Sequence, residues 1–150
     1  PQDPEGLIDL MGVEETFTQK LDSLFTISSE LDDNASVDIS GMIGQYAHGN
    51  EPSHHVAYMY SYAGKQYKTA PIIRTINNTL YTDKPDGLSG NEDCGQMSAW
   101  YIFSSIGFYP VNPTNGLYVF GSPLFDEVKI NLPQDKQFII KAENNSDLNI

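Results

Sequence analysis

The spacing of apolar residues changes near residue 113, and this change constrains the fold more than any other feature of the chain. Before it, apolar side chains recur every three or four residues, which places them on one face of a helix. After it, apolar and polar residues alternate, which is typical of strands. The sequence therefore predicts a mainly α fold with a C-terminal β portion, divided into residues 1–112 and 113–150.

Five stretches of the first part have helical spacing. Asp3 suits a helix N-cap, Pro4 suits the first helical position and Gly12 suits the end of that helix. The predicted helices cover residues 4–12, 13–24, 52–64, 69–81 and 94–107, and a solvated loop covers residues 28–34. Each helix has a single apolar face, so each needs a neighbour to cover it.

The last part of the chain predicts a few antiparallel strands. Residues 117–120 form a short apolar run, and Val128, Ile130 and Leu132 alternate with polar residues. A turn at residues 133–136 leads into a second apolar run at 138–141, which together indicate a hairpin. So few strands would be only marginally stable on their own.

Charge and composition exclude several classes of protein. Eight Lys and Arg against 20 Asp and Glu give a net charge of −12, which disfavours nucleic acid as a partner. An aromatic fraction of 11% excludes a disordered chain. No apolar run is long enough to span a membrane. The single cysteine, Cys94, cannot form an intramolecular disulfide.

The first polar loop, residues 49–55, precedes a predicted helix and allows three interpretations. Asn50 and Glu51 could simply cap that helix. A transition metal could use Glu51 with the imidazoles, but His54 and His55 are adjacent and cannot share one helix face. Oxygen ligation by Asn50 and Glu51 would suit calcium instead.

The second polar loop, residues 87–95, contains glycines that let the backbone approach a ligand closely. Asn91, Glu92 and Asp93 then bring two carboxylates to a helix start, where they could act as caps. The spacing does not fit a phosphate-binding loop. Carboxylates facing each other across a pocket are the equipment of glycoside hydrolysis, in which one acid and one base act on the bond.

Three segments of the chain resemble, in order, successive motifs of glycoside hydrolase family 92, a family of calcium-dependent α-mannosidases found in gut Bacteroidetes. They are residues 1–12 (PQDPEGLIDLMG), 49–55 (GNEPSHH) and 90–101 (GNEDCGQMSAWY). The tail, with residues 121–123 (GSP) and 144–146 (NNS), is also similar. The resemblance covers essentially the whole chain.

The resemblance implies a fold and a set of roles. Family members join an N-terminal β-sandwich to an (α/α)6 barrel, and this chain resembles the last part of that barrel plus strands that return to the sandwich. Asp93 corresponds to the general base, and Asn91 stands where some relatives carry another carboxylate. The implied calcium site contains Asn50, Glu51 and Asp93. The implied mannose pocket contains His54, His55 and Glu92.

The resemblance also implies what this chain lacks. The family's general acid is a Glu upstream of the segment that begins here at Pro1, so the isolated chain is expected to be inactive. The expected whole is an inverting exo-α-mannosidase that removes terminal mannose from mannan or N-glycans, often from α-1,2 linkages. Its implied partners are these glycans and the rest of the parent chain, in the periplasm, at the cell surface or in the medium of a bacterium.

A non-catalytic carbohydrate-binding module is the alternative, because aromatic residues and an acidic loop can bind sugars without cleaving them. It explains the aromatics but not the order of the motifs. The mannosidase interpretation makes a geometric prediction: the two polar loops should converge at one end of the helices. The carboxyl groups of Glu51 and Asp93 should then lie within about 10 Å of each other, the reach of one cation with its ligands.

Overall fold

The computed structural model describes residues 3–36 and 39–145. Pro1 and Gln2, which begin the first motif, and Ser146, which ends the last, lie outside the described residues. The α-helices are α1 (Pro4–Leu10), α2 (Glu14–Thr26), α3 (Thr69–Thr79) and α4 (Gln96–Ile106), with 3-10 helices at Glu51–Ser53, Val56–Ser61 and Gln66–Lys68. The strands are β1 (Met42–Ile43), β2 (Tyr46–Ala47), β3 (Phe108–Tyr109), β4 (Val119–Phe120), β5 (Glu127–Leu132) and β6 (Lys136–Lys141).

The predicted mainly α fold with C-terminal antiparallel strands is confirmed. None of the helices in the described part of the chain is long and apolar enough to cross a membrane.

α1 has the predicted cap. The Asp3 carboxylate accepts a hydrogen bond of 2.9 Å from the backbone N–H of Gly6, and Pro4 is the first helical residue. In α2, Phe17 and Leu21 are buried as their spacing predicts. Val13 was expected on the same face, but it is the N-cap, with extended backbone, and is 59% exposed.

The segment after Pro52 is not the amphipathic helix that its spacing predicts. It forms two 3-10 helices, in which about three residues complete a turn. Four consecutive residues of the second one are buried: Ala57, Tyr58, Met59 and Tyr60. This segment is therefore covered on all sides by the rest of the protein, instead of presenting one apolar face.

α3 and α4 match their predicted helices closely. α3 buries Ala70, Ile73 and Ile76 and ends at Thr79, two residues short of the predicted end. α4 runs between Gly95 and Gly107, which both adopt the left-handed conformation. Gly107 can end the helix in this way because it has no Cβ to strain the left-handed conformation.

The strands pair as three two-stranded antiparallel sheets within the described residues, β1 with β2, β3 with β4 and β5 with β6. The hairpin β5–β6 confirms the prediction, with Val128 opposite Ile140 and Ile130 opposite Phe138. The strand predicted at 117–120 is shorter, since only Val119 and Phe120 pair. β1, β2 and β3 were not predicted.

One hydrophobic core extends from Ile8 to Val111, and no residue of β5 or β6 belongs to it. Arg74 on α3 ties the following segment to this core. Its Nε donates to Ser122 Oγ at 2.8 Å, and Nη2 donates to the Pro123 carbonyl oxygen and to Asn145 Oδ1, the latter at 2.7 Å. Arg74 thus holds the segments on both sides of the β5–β6 hairpin to the helical part through a charged, hydrogen-bonded contact.

Candidate functional site

The two polar loops meet at a pair of glycines. A methyl group built on Gly90 would lie 3.1 Å from the carbonyl oxygen of Gly49, and one built on Gly49 would lie 2.8 Å from that of Ser89. The turn after β2 fixes Gly49 there, because its N–H donates to the Ser40 carbonyl at 3.0 Å. The loops therefore converge as predicted, while the separation of the Glu51 and Asp93 carboxyl groups stays a prediction.

The first polar loop exposes its oxygen-bearing side chains. Asn50 is the N-cap of the helix Glu51–Ser53, yet its side chain accepts no capping hydrogen bond. Ser53 bonds the local carbonyls instead, with Oγ 2.6 Å from the oxygen of Ala47 and 2.7 Å from that of Asn50. The interpretation of Asn50 as a capping side chain is therefore wrong, and the exposed oxygens of Asn50 and Glu51 face solvent.

The backbone of the second polar loop is strained at Asp93. Asp93, Cys94 and Gly95 have successive positive φ angles of 51°, 55° and 93°. A non-glycine residue in a sparsely populated region costs about 1–3 kcal/mol, and such residues cluster at active sites and ligand clamps. This turn leads from the half-buried Asp93 into α4, which begins at Gln96.

Glu92 caps α4. Its Oε1 accepts a hydrogen bond of 3.0 Å from the backbone N–H of Ser98, and its Oε2 accepts one of 2.9 Å from the Ser98 hydroxyl. Ser98 lies in the first turn of α4, where backbone N–H groups lack partners within the helix. The capping interpretation therefore describes Glu92, which is exposed like Asn91 before it.

The two adjacent histidines have different surroundings. His54 is 1% exposed, its Nε2–H donates to the carbonyl oxygen of His48 at 3.0 Å, and its Nδ1 accepts from the Gln96 amide at 3.0 Å. Both nitrogens are occupied, so His54 is not available as a metal ligand. His55 is half-buried and lines a cleft of about 280 Å³ together with Glu51, Gln96 and Tyr109.

His48 is the residue at this site that the sequence reasoning missed. It is fully buried, with Nδ1 2.8 Å from the hydroxyl of Tyr46 and Nε2 2.6 Å from the hydroxyl of Tyr81. Its ring stacks on that of His54, with centroids 4.7 Å apart. His48 directly follows β2, two residues after Tyr46, and this spacing was the available signal, because residues two apart in extended backbone point to the same side.

Burial keeps the imidazoles of this site uncharged. It lowers the pKa of His48 to about 3 and that of His55 to about 4, and it also lowers the pKa of His54. In each case the cause is the cost of holding a charge away from water. The charge of the site at neutral pH therefore comes from its carboxylates.

Calcium fits the available donor atoms better than a transition metal does. Asn50 and Glu51 offer exposed amide and carboxylate oxygens, which are the ligands that calcium prefers. No group of three or more His, Cys, Asp or Glu side chains that could hold a metal ion occurs in the described part of the chain. A complete calcium shell of six to eight oxygens would thus need oxygens beyond the acidic side chains.

Comparison with known proteins gives one family. The model of the glycosyl hydrolase family 92 catalytic domain matches residues 1–150. A curated protein described as an uncharacterized secreted glycosidase, from Arthroderma benhamiae, is 31% identical over 133 residues, which are 89% of this chain and 15% of that protein.

Solved structures of the same family are also similar. The family GH92 α-mannosidase BT3965 from Bacteroides thetaiotaomicron is 49% identical with a TM-score of 0.84, over 96% of this chain and 19% of that one. Its complex with mannoimidazole gives 47% identity and a TM-score of 0.87, over the same shares of the two chains. The inverting mannosidase BT2199 from the same bacterium is 40% identical with a TM-score of 0.75, over 95% of this chain and 20% of that one.

Proposed function

The chain belongs to glycoside hydrolase family 92, and from that premise we propose that it forms part of the catalytic region of an inverting exo-α-mannosidase. The solved relatives are described as mannosidases, one of them as inverting. The chain spans 15% to 20% of the length of these relatives. The activity is therefore proposed for the longer polypeptide that contains this chain, which we call the full-length enzyme.

Asp93 is the general base in this proposal. The observation that carries it is the contact of the two polar loops at Gly49 and Gly90, together with the left-handed turn that begins at Asp93 between this contact and α4. The carboxylate takes a proton from a water molecule, whose oxygen attacks the anomeric carbon from the face opposite the leaving group. The glycosidic C–O bond breaks, and a general acid outside this chain protonates the departing oxygen, so the configuration inverts.

Calcium is the proposed cofactor, held by oxygens of Asn50, Glu51 and Asp93 where the two polar loops converge. The exposure of Asn50 and Glu51 supports this assignment, because neither oxygen has to leave an internal hydrogen bond first. When bound, the cation supplies positive charge that can bind and polarise sugar hydroxyl groups.

The proposed mannose pocket is the cleft beside the first polar loop. His55 lines this cleft and is suited to contact the sugar directly. His54 supports the pocket from within, because its ring nitrogens already bind Gln96 and His48. Glu92 supports it from the exposed start of α4, where its carboxylate binds Ser98. Asn91 lies exposed at the position where some relatives carry a further carboxylate.

The proposed substrates are terminal α-mannosyl residues of mannan or N-glycans, including α-1,2 linkages. The similarity to a secreted glycosidase supports an enzyme that acts outside the cytoplasm, in the periplasm, at the cell surface or in the medium. Within the full-length enzyme, we assign residues 1–112 to an (α/α)6 barrel. Residues 113–150 would pack on a β-sandwich, which the exposure of Phe120 and Phe138 supports.

The test is the Asp93→Asn substitution in the full-length enzyme, assayed by mannose release from an aryl α-mannoside. We expect the rate to fall by about 10²–10⁴-fold, since an amide cannot accept the proton of water. Asp86→Asn is the matched control, because Asp86 is an exposed carboxylate that directly precedes the second polar loop. This substitution should leave the rate unchanged. Chelation of calcium should abolish activity, and added calcium should restore it.

Two results would contradict the proposal. One is an Asp93→Asn enzyme that is as active as the Asp86→Asn control. The other is a full-length enzyme that binds mannosides without releasing mannose, which would favour the carbohydrate-binding module. The isolated chain of 150 residues should release no mannose, because a glycoside needs the proton of a general acid that the family places upstream.

A further inference from the structure

We propose that His48 is a positioning residue whose hydrogen bonds hold the two polar loops together. It thereby keeps Asp93 in place without contacting the sugar itself. The consequence for catalysis rests on the proposed function. The mechanical coupling of the loops does not, because it is argued from hydrogen bonds alone.

The first connection runs through tyrosine hydroxyls. The Tyr81 hydroxyl donates to the carbonyl oxygen of Met97 at 3.1 Å, so its oxygen is left to accept from His48 Nε2–H at 2.6 Å. The other imidazole nitrogen, Nδ1, then accepts from the Tyr46 hydroxyl at 2.8 Å. All donors point one way along this chain, which leads from β2 to the first turn of α4.

The second connection runs through the backbone of His48. Its carbonyl oxygen accepts from Nε2–H of His54, and the Gln96 amide donates to the other nitrogen of His54. Gln96 and Met97 are the first two residues of α4 and directly follow the strained turn at Asp93. Both connections therefore start at His48 and end where the second polar loop joins its helix.

Burial makes the hydrogen bonds of His48 and His54 costly to lose. His48 and His54 are 0% and 1% exposed, so water cannot replace a lost partner without opening the core. The loops also touch at Gly49 and Gly90, which have no side chains to interlock. The buried imidazole and the carbonyl of His48 thus supply, through Tyr81 and His54, the specific bonds that the glycine contact cannot.

The experiment measures loop coupling and kinetics in the full-length enzyme carrying His48→Phe, which keeps an aromatic ring and removes both nitrogens. We expect amide hydrogen exchange to accelerate in residues 49–55 and in residues 96–98 together. We also expect kcat to fall by about 10²-fold with KM within about threefold, the effect of a misplaced catalytic group. His48→Gln restores a donor toward Tyr81 and should recover part of kcat.

Tyr58→Phe is the matched control. It also removes a buried hydroxyl bond, 2.7 Å to Ser104 Oγ, but that bond does not join the loops. Neither segment should exchange faster in it, and kcat should not change. If His48→Phe does not fold, Tyr81→Phe removes only the hydroxyl that joins His48 to Met97 and should show the same coupled exchange.

Faster exchange confined to residues 49–55, in His48→Phe or in Tyr81→Phe, would overturn the coupling. An unchanged kcat in a variant with coupled loosening would overturn the positioning role. If instead Asp93→Asn keeps full activity while His48→Phe loosens both loops, the proposed base is wrong and the coupling by His48 stands.

Discussion

At the scale of single residues, Gly49 sets how closely the two polar loops approach. Its backbone lies outside the left-handed region, so alanine fits it conformationally, but the added methyl group would overlap Ser40 Oγ and lie 2.8 Å from the Ser89 carbonyl oxygen. We expect Gly49→Ala to lower the free energy of unfolding in urea by about 1–3 kcal/mol, as overpacking does, and to lower kcat as the loops separate.

Gly64→Ala provides the control for that prediction. Gly64 has a φ of 64° and no heavy atom within 4 Å of an added methyl group, so alanine meets only backbone strain, about 1–2 kcal/mol. It should cost stability without affecting kcat. If kcat of Gly49→Ala matched that of Gly64→Ala, the close approach of the loops would have no role in the reaction.

The buried histidines predict a loss of stability in acid. Burial lowers the pKa of His48 to about 3 and of His55 to about 4, from a usual value of 6.5. Between these values the unfolded chain binds more protons than the folded one, so the free energy of unfolding rises with pH. The urea midpoint should be flat between about pH 7 and about pH 9 and fall from about pH 6.5 downward.

His55→Gln should reduce this dependence, because it removes one of the groups whose pKa is lower in the folded chain than in the unfolded one. A midpoint that rises on acidification from pH 7 to pH 5 would contradict the burial of these imidazoles.

At the scale of elements, α4 depends on the cap that Glu92 provides. Removing a capping side chain costs about 1 kcal/mol, so Glu92→Ala should lower the free energy of unfolding by that amount. Glu51→Ala, measured without calcium, is the control, because Glu51 opens a 3-10 helix and is exposed. If Glu92→Ala weakened mannoside binding without a loss of stability, Glu92 would be a sugar ligand.

The elements that sequence patterns predicted are those with local signals. Asp3 and Pro4 begin α1, and left-handed glycines bracket α4, so their boundaries follow from a few adjacent residues. Val56–Ser61 has apolar residues on every side and is shaped by the core around it. The spacing that suggested an α-helix there could not reveal that its opposite side is covered as well.

The candidate site, like the helices, was predictable only where neighbouring residues mark it. Glycines and acids mark the second polar loop, so its position is visible in the chain, whereas the left-handed turn at Asp93 is not. His48 escaped notice because its hydroxyl partner Tyr81 is 33 residues away, and only folding brings them together. Patterns of neighbouring residues locate the loops, but hydrogen bonds between residues far apart in the chain determine which loop side chains are buried.

At the scale of the whole molecule, exposed aromatic surface competes with a large net charge. The described residues include Tyr118, Phe120, Phe125 and Phe138 with half or more of their surface exposed. Exposed aromatic surface promotes association, whereas a net charge of −12 opposes it. We expect the isolated chain to associate more as salt rises, because about 1 M salt screens the repulsion beyond about 3 Å.

Sedimentation velocity at low and high salt checks this prediction. The double variant Phe120→Gln and Phe138→Gln should remain monomeric at both. Leu10→Gln is the control, since Leu10 is 87% exposed on α1, away from the strands, and should associate like the parent. A chain that stays monomeric at every salt concentration would show that the aromatic surface is not adhesive.

The hydrogen bonds that Arg74 donates to Ser122, Pro123 and Asn145 have a consequence for the order of folding. These bonds join residues 48 to 71 positions apart, so forming them closes long loops. Long loops lose more chain entropy on closure than short ones do, which delays the contacts that close them. The Arg74 guanidinium can donate these hydrogen bonds only after α3 has formed. The chain should therefore fold from its helical middle outward. Its C-terminal strands would then dock last, and during that interval they are the part that a protease reaches most easily.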